Sequence, residues 1–338
     1  MHLLITGSSG QIGTNLALRC LALGHTVNGI DVRPNPWSAD IPTLIHDLTQ
    51  GPLPGTDFMP TDVVVHLAAH AKVHQSVEQP ARAHENVVMT HHVLEYCRGK
   101  NIPLIYSSSR EVYGNTLRTT TCETDADFLT AASPYSASKI ACESAIYAYA
   151  RCYGLRYIVF RLSNVYGRHD NDAARMERVI PLAIDRFRND QPITLYGPDK
   201  VLDFTHVDDC IDGLMLGIGR LISGALAHET INLAAGRGHS LAEMARLTAA
   251  ALGVEPTIRH EPIRVGEITR YVANIDKARA LLDFSPQIQL PTGIVRAVHR
   301  NASPGRTGLA QHAEGVAAAL DEAGCARKFG ELNKPARA

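Results

Sequence analysis

The sequence of 338 residues predicts an α/β fold, a doubly wound parallel sheet with a smaller α+β part toward the C-terminus. Short apolar and β-branched runs alternate with segments that carry apolar residues at helical spacing. Strands that are almost continuously apolar are typical of a parallel sheet covered by helices on both faces. The predicted strands read HLLIT, TVNGID, VVVHLAA, PLIYSSS and RYIVFRL.

The alternation weakens after about Gly167, which indicates a second part of the chain. We therefore divide the chain into residues 1–167, residues 168–300, which are interleaved with the first part, and a peripheral tail of residues 301–338 that is rich in Ala, Gly and Arg. The predicted elements of the second part are strands at 193–195 and 230–233 and helices at 240–251 and 276–282.

The overall composition limits the classes of function. The net charge is -1, with 33 Lys+Arg against 34 Asp+Glu, so neither a nucleic-acid nor an anionic membrane partner is expected. No apolar run approaches the roughly 20 residues of a membrane span, and no signal-peptide pattern opens the sequence. The seven cysteines include no CxxC pair and predict no disulfide framework, so we expect a cytoplasmic protein.

The stretch TGSSGQIG places Gly7, Gly10 and Gly13 directly after a strand and at the start of a helix. Glycines at this turn let the backbone approach a pyrophosphate, whose charge is stabilised by the helix N-terminus. Gln11 and Ile12 lie inside the same turn and are candidate cofactor contacts. The pattern therefore predicts a Rossmann-type sheet that binds a dinucleotide.

Asp31 ends the next predicted strand, 18 residues after Gly13. A carboxylate at this point accepts hydrogen bonds from the ribose hydroxyls and repels a 2′-phosphate, so NAD is favoured over NADP. Arg33 acts against this preference, because its charge attracts a 2′-phosphate. Asp47 and Leu48 follow the third strand, and we expect them to meet the adenine.

The stretch SPYSASKIACE places Tyr135 and Lys139 four residues apart, hence on one face of a helix. A Lys ammonium near a phenol favours the phenolate, as does the positive ring of an oxidised nicotinamide. Tyr135 is therefore a candidate base that takes a proton from a sugar hydroxyl while the carbon loses hydride. Lys139 would also hold the ribose of the cofactor.

The chain resembles the extended short-chain dehydrogenases/reductases that act on nucleotide sugars, such as UDP-glucose 4-epimerase. The resemblance covers about residues 1–300 and rests on TGSSGQIG, HLAAHAKVHQS, YSSSREVYG, PYSASK, FRLSNVYGRH, DFTHVDD and RVGEITRYVANIDKA. It implies an enzyme with tightly bound NAD, a nucleotide-diphosphate sugar as substrate, and a catalytic triad of Ser109, Tyr135 and Lys139. In that triad Ser109 hydrogen-bonds the reacting oxygen of the sugar.

The resemblance also implies roles for residues in the other matching stretches. Residues 168–300 become the part that binds the nucleotide sugar, with Asn164 and Arg264 at its diphosphate. Further cofactor contacts are expected at Leu67, Ala68, Ala69 and Asn86, and further substrate contacts at His70, Lys72, Ser108 and Arg168.

One position departs from the family pattern. Leu202 precedes the Asp-Phe pair where the family often has an arginine that binds the diphosphate. Arg264, Arg168 or Lys200 are the candidates to replace it. The identity of the nucleotide, whether uridine, thymidine, guanosine or cytidine, stays open.

The role of Glu111 decides between two reaction types. If the strand continued to Val112, alternation would direct Ser109 and Glu111 into the site and Arg110 away from it. Simple 4-epimerases of the family usually have a small residue at the position of Glu111, whereas 4,6-dehydratases and UDP-glucuronate decarboxylase have Glu. The 4,6-dehydratases also have a proton-donating Asp at the position of Arg110, and arginine is a poor proton donor.

We predict a 4-epimerase that transiently oxidises sugar C4. Two enzymatic alternatives use Glu111 as a second base, a 4,6- or 5,6-dehydratase and a decarboxylase. In the structural alternative, Glu111 caps a turn or pairs with a cation. A non-catalytic NAD-binding regulator ranks lower, because such proteins typically lose the Tyr and the Lys that are present here.

Two further predictions concern metals and assembly. His66, His70 and His74 are spaced by four residues, as on a metal-binding helix face, but His66 is predicted to end a strand and the family needs no metal here, so we expect none. The family implies a homodimer joined by two helices from each subunit, with candidates at 86–99 and 134–151.

Overall fold

A computed structural model describes residues 1–53, 60–116, 118–170 and 178–300, together with the backbone but not the side chain of Arg300. The predicted tail of residues 301–338 lies outside the described residues. The strands are β1 (His2–Thr6), β2 (Thr26–Asp31), β3 (Thr43–Ile45), β4 (Val63–His66), β5 (Leu104–Ser109), β6 (Tyr157–Leu162), β7 (Asn164–Tyr166), β8 (Ile193–Tyr196), β9 (Val201–His206), β10 (Glu229–Leu233), β11 (Gly238–Ser240), β12 (Ile258–Glu261) and β13 (Arg270–Tyr271). The helices are α1 (Gln11–Ala22), α2 (Val73–Glu78), α3 (Ala81–Lys100), α4 (Pro134–Tyr153), α5 (Val179–Arg188), α6 (Val207–Ile222), α7 (Leu241–Leu252), α8 (Asp276–Leu282) and α9 (Leu290–Arg300).

The main sheet has seven parallel strands in the order β10-β6-β5-β4-β1-β2-β3. Alternate residues of a strand point to opposite faces, so Leu3 and Ile5 of β1 pack with α1 and α6 on one face. Leu4 packs on the other face with α3 and α4. The predicted doubly wound parallel sheet is confirmed.

The second part of the chain builds two small sheets and a second core. Strand β9 pairs with β7, β11 and β13, and β8 pairs with β12. Helices α5, α7 and α9 bury Phe187, Met244 and Ile294 in this second core. Strand β10 lies in the main sheet, so the chain returns to that sheet after residue 168. The exact division at residue 167 stays a prediction.

The carboxyl ends of the parallel strands position the site. Strands β1, β4 and β5 are neighbours in the main sheet and end at Thr6, His66 and Ser109. The loops that follow these residues therefore meet at one edge, where open α/β sheets bind their ligands. Within the described residues, no helix has the length and hydrophobicity needed to span a membrane.

Candidate active site

The glycine turn after β1 fits closely against the loop after β4. Gly7 has a φ of +75°, and a Cβ there would lie 2.7 Å from the backbone N of Ala68. A Cβ at Gly13 would lie 2.2 Å from the Gly7 carbonyl oxygen. Helix α1 begins at Gln11 with Gly10 as its N-cap and without a side-chain cap, which leaves its first N–H groups to a ligand.

Asp31, at the end of β2, lies next to this glycine turn. Its carboxylate accepts hydrogen bonds from the backbone N–H of Ser9 at 3.0 Å and from that of Arg33 at 3.3 Å. Burial raises the pKa of Asp31, and these backbone N–H groups oppose the shift. The carboxylate is therefore fixed beside the glycine turn, where it can accept further bonds from a ribose.

A cleft of about 480 Å³ runs from the glycine turn to Tyr135. Trp37 and Arg33 line it beside the glycine turn, and Lys139 lines it beside Tyr135. The residues of the cofactor prediction that line it are Gly7, Gly10, Gln11, Ile12, Gly13, Leu67, Ala69, Tyr135 and Lys139.

Other residues of the cofactor prediction make scaffold contacts. Asp47 accepts hydrogen bonds from the N–H and the hydroxyl of Thr49, and Leu48 is buried. Asn86 accepts the backbone N–H of His70 at 2.8 Å and donates to Ser138 at 3.2 Å. Asn86 thereby ties the loop after β4 to helix α4.

The three residues of the predicted triad lie close together, where the cleft adjoins a smaller cavity. Ser109 ends β5, and its hydroxyl lies beside the phenol of Tyr135, which is in the first turn of α4. Ser133 and Ser136 form a capping box that fixes the start of this helix. Burial raises the pKa of Tyr135 to about 12, and the neighbouring Ser109 hydroxyl opposes that shift.

Lys139 lies behind Tyr135 on the same face of α4. Its Nζ donates to the Ser107 carbonyl at 2.8 Å and to the Tyr106 hydroxyl at 3.3 Å, and lies 6.0 Å from the centre of the Tyr135 ring. Burial lowers the pKa of Lys139 to about 8. At neutral pH the ammonium is therefore mostly charged and is available to the ribose and to the phenolate.

The chain does not continue as a strand beyond Ser109. A 3-10 helix runs over Arg110–Tyr113, because the N–H of Glu111 donates to Ser109 Oγ at 3.2 Å and starts a turn. The strand alternation that would have directed Arg110 away from the site therefore does not apply, and Arg110 and Glu111 both line a cavity of about 270 Å³ next to Tyr135. Arg110 Nη2 lies 3.0 Å from Glu111 Oε1. Burial raises the pKa of Glu111, and Arg110 opposes the shift.

Four buried polar atoms of residues that line the cleft have no hydrogen-bond partner among the described residues. They are Arg110 Nη1, Glu111 Oε2, Asp170 Oδ2 and Gln11 Nε2, and all four residues line the cleft. A buried polar group without a partner costs about 1–3 kcal/mol. Their concentration in one cleft indicates a site for a polar ligand.

The predicted substrate residues divide into two groups. Lys72 lines the cofactor cleft, Ser108 lines the smaller cavity, and Asn164 lines both. His70 instead pairs with Glu85 at 2.7 Å, and Arg168 forms an ion pair with Asp208.

A third cavity of about 430 Å³ adjoins the cleft and contains Arg264, whose guanidinium carbon lies 3.8 Å from the centre of the Tyr196 ring. Lys200 and Glu267 form an ion pair that lines both the cleft and this cavity. Leu202, which stands where the family often has arginine, is buried and lines the cleft.

Three acidic or basic residues that line the cleft, Asp170, Arg178 and Glu267, were not predicted. Arg178 forms a hydrogen bond with the Gln11 side chain and lies 3.5 Å from Asp170, and both line the cleft. Burial raises the pKa of Asp170 to about 6. Neither residue lies in a recognisable pattern, whereas Glu267 follows Arg264 in the stretch RVGE and was available as a signal.

His66 is a buried core residue at the end of β4. Its ring hydrogen-bonds Thr6 at 2.6 Å and Thr90 at 3.2 Å. Burial lowers the pKa of His66 to about 3, so the ring is neutral at physiological pH. These contacts account for both ring nitrogens within the core.

The sequence and the structure are similar to known enzymes over most of the chain. The putative UDP-glucose 4-epimerase of Methanocaldococcus jannaschii is 29% identical over 320 residues, which cover 90% of this chain and 100% of that protein. The dTDP-glucose 4,6-dehydratase of Mycolicibacterium smegmatis is 29% identical over 302 residues, 85% of this chain and 88% of that protein. The UDP-glucose 4-epimerase of Thermus thermophilus, solved in complex with NAD, superposes with a TM-score of 0.81 at 29% identity, covering 90% of this chain and 100% of that one.

The model of the NAD dependent epimerase/dehydratase family matches residues 3–234, which include the glycine turn, Ser109, Tyr135 and Lys139. Together with the seven-stranded parallel sheet and the dinucleotide cleft, this match places the protein: the chain belongs to the NAD-dependent epimerase/dehydratase family.

Proposed function

We propose that the protein is a UDP-hexose 4-epimerase that uses tightly bound NAD. The observation that carries the proposal is the proximity of the Ser109 hydroxyl to the Tyr135 phenol, at the place where the dinucleotide cleft meets a second polar cavity. The relatives named UDP-glucose 4-epimerase support the choice of a uridine nucleotide.

The residues of the site supply the acid–base part of the reaction. Bound NAD would accept hydride from sugar C4 and return it. Ser109 would orient the C4 oxygen while the phenolate of Tyr135 takes its proton, and Lys139 would stabilise that phenolate. The 4-keto sugar would then rotate within the site and present its other face to the cofactor. Hydride would return to that face, and Tyr135 would return the proton to the C4 oxygen.

The nucleotide of the substrate would occupy the third cavity. Arg264 and Tyr196 would hold its outer end, and Lys200 would stand beside the diphosphate in place of the arginine that Leu202 replaces. Two phosphate charges need such cations. Because Lys200 and Glu267 line both cavities, a diphosphate at this pair would place the sugar in front of Tyr135.

A second candidate is a dehydratase or a decarboxylase that uses Glu111 as an additional base. One observation favours it: Glu111 lines the cavity of about 270 Å³ next to Tyr135, and its Oε2 has no hydrogen-bond partner among the described residues. The ion pair with Arg110 opposes this role, because the guanidinium favours the ionised carboxylate, whereas burial raises the pKa of Glu111 and makes it a stronger base.

Assembly and location stay predictions. Helices α3 and α4 pack against each other on one face of the main sheet and are the expected contact of a cytoplasmic homodimer. Size-exclusion chromatography with light scattering would measure the mass of the particle in solution.

The direct test is incubation of the purified protein with UDP-glucose, followed by NMR of the product. The proposal expects UDP-galactose, with an inverted C4 and an unchanged C5. A 4-keto-6-deoxy sugar would instead establish the second candidate. No product from UDP-glucose or from UDP-glucuronate would contradict both.

A further inference from the structure

Trp37 and His169 form an aromatic pair in the wall of the dinucleotide cleft. Both residues line the cleft of about 480 Å³, and their ring centres lie 5.4 Å apart with the ring planes at 47°. Trp37 follows β2 of the main sheet, whereas His169 follows β7, which pairs with β9 in a small sheet. The pair therefore connects a loop of the main sheet with the small sheet, at the cleft that both border.

Asn35 anchors Trp37 to the start of α1. The side-chain amide of Asn35 donates to the Ser8 carbonyl at 3.0 Å and to Thr14 Oγ1 at 2.8 Å, and its oxygen accepts the backbone N–H of Trp37 at 2.9 Å. An asparagine that bonds the backbone two residues further on forms a compact turn. Trp37 is thereby tied to the helix whose N-terminus would bind the pyrophosphate.

Asn15, a buried residue in the second turn of α1, holds His169 beside the same helix. Its side chain donates to the Arg168 carbonyl at 3.1 Å, and its oxygen accepts from His169 Nδ1 at 3.2 Å. His169 has a φ of +57°, which costs free energy for a residue other than glycine. The contacts with Asn15 and Trp37 stabilise this conformation, which is typical of a functional constraint and not of an ordinary loop.

The start of α1 also shows what kind of ligand this wall would meet. The helix has no side-chain cap, and Gln11 Nε2 is buried without a hydrogen-bond partner among the described residues. Both observations favour an anion or another acceptor at the glycine turn. An indole and an imidazole can donate N–H groups to phosphate oxygens, and their rings exclude water, which strengthens every charge contact nearby.

We propose that Trp37 and His169 bind the cofactor and retain it in the cleft between turnovers. Because Asn35 and Asn15 tie the two residues to the same helix, the cleft opens at this wall only when the ring contact breaks. The inference rests on NAD binding by the family and goes beyond the 4-epimerase proposal, which assigns no role to either residue.

The test measures how fast bound NAD exchanges with isotope-labelled NAD, by mass spectrometry, in the wild type, Trp37→Ala and His169→Asn. Asparagine tolerates a positive φ, so His169→Asn removes the ring and keeps the backbone. Each variant should exchange NAD about tenfold faster, the effect of losing one aromatic contact. The control is His228→Asn, because His228 has a φ of +62° and is not among the residues that line the cleft, and its exchange should match the wild type.

The fluorescence of Trp37 tests the inference without any variant, because Trp37 is the only tryptophan of the chain. In the wild type, acrylamide should quench this fluorescence less when NAD is bound than after NAD has been removed. Equal quenching in the two states overturns the inference, even where neither variant folds.

The exchange rates provide the other outcomes. Unchanged exchange in both folded variants overturns the inference, and so does an equal acceleration in His228→Asn, which would indicate a general loosening of the fold. Wild-type exchange combined with weaker binding of UDP-glucose would assign the pair to the substrate and overturn the inference as well. A wild type that retains NAD and epimerises no sugar would contradict the proposed function and leave this inference standing.

Discussion

Replacing Lys139 by Met should make the protein more stable and inactive at once. Lys139 is 4% exposed, and burial lowers its pKa from 10.5 to about 8. The folded protein therefore keeps a charged ammonium at pH 7 at a cost of roughly 3 kcal/mol, as an order of magnitude. Methionine has a similar length and no charge, so this cost disappears.

Part of the gain is offset by the hydrogen bonds that Lys139 makes. Without the ammonium, the Ser107 carbonyl loses a donor at 2.8 Å, which costs about 1 kcal/mol. The expected net effect is a stabilisation of about 2 kcal/mol at pH 7, or a few degrees in Tm. Turnover should fall by roughly a thousandfold, since the phenolate of Tyr135 and the ribose lose their cation.

The stability gained by Lys139→Met is expected to depend on pH. The unfolded chain holds the lysine proton up to about pH 10.5 and the folded protein only up to about pH 8. Between these values the unfolded state binds more protons, so the stability of the wild type rises with pH across this window. The advantage of Lys139→Met should therefore shrink from pH 7 to pH 10.5.

The assay is thermal unfolding of NAD-free protein at several pH values, because bound NAD would add its own stabilisation to the wild type. Lys277→Met, at a surface ion pair with Glu229, serves as the control and should not raise Tm. A Lys139→Met variant that is less stable than the wild type at pH 7, or whose advantage is the same at pH 7 and pH 10.5, would refute the reasoning.

Three other substitutions test separate parts of the site. Tyr135→Phe removes the proton acceptor, so kcat should fall by roughly a thousandfold in a product assay while NAD stays bound; full activity would exclude Tyr135 as the base. Asp31→Ser removes the charge that repels a 2′-phosphate, so calorimetric titration should show that the affinity for NADP rises about tenfold relative to the affinity for NAD. Asp47→Ser is its control, and an equal shift there would argue against Asp31 as the selecting carboxylate. Lys200→Met should weaken UDP binding by about tenfold in the same kind of titration without changing NAD affinity, and unchanged UDP affinity would contradict its role at the diphosphate.

The fold and the cofactor side of the site follow from local patterns. The apolar strands, the glycine turn and Asp31 each depend on residues close together in the sequence, and local rules for strands and turns predict them. The doubly wound sheet is confirmed for that reason.

The other parts of the site depend on contacts that local sequence patterns do not predict. Glu111 faces the cavity through a 3-10 turn that begins with a hydrogen bond to Ser109, and not through strand alternation. Asp47 makes its hydrogen bonds to nearby Thr49, which a position after a strand does not indicate. Arg178 reaches the cleft through a contact with Gln11, 167 residues away in sequence.

The most direct test of the account is mass spectrometry of the product formed from UDP-glucose in deuterated water. If Tyr135 alone handles the proton and hydride stays on the bound NAD, the product is an isomer of the substrate without carbon-bound deuterium. If the product has lost water and gained deuterium at C5 or C6, Glu111 acts as a second base and the assignment as a 4-epimerase is wrong.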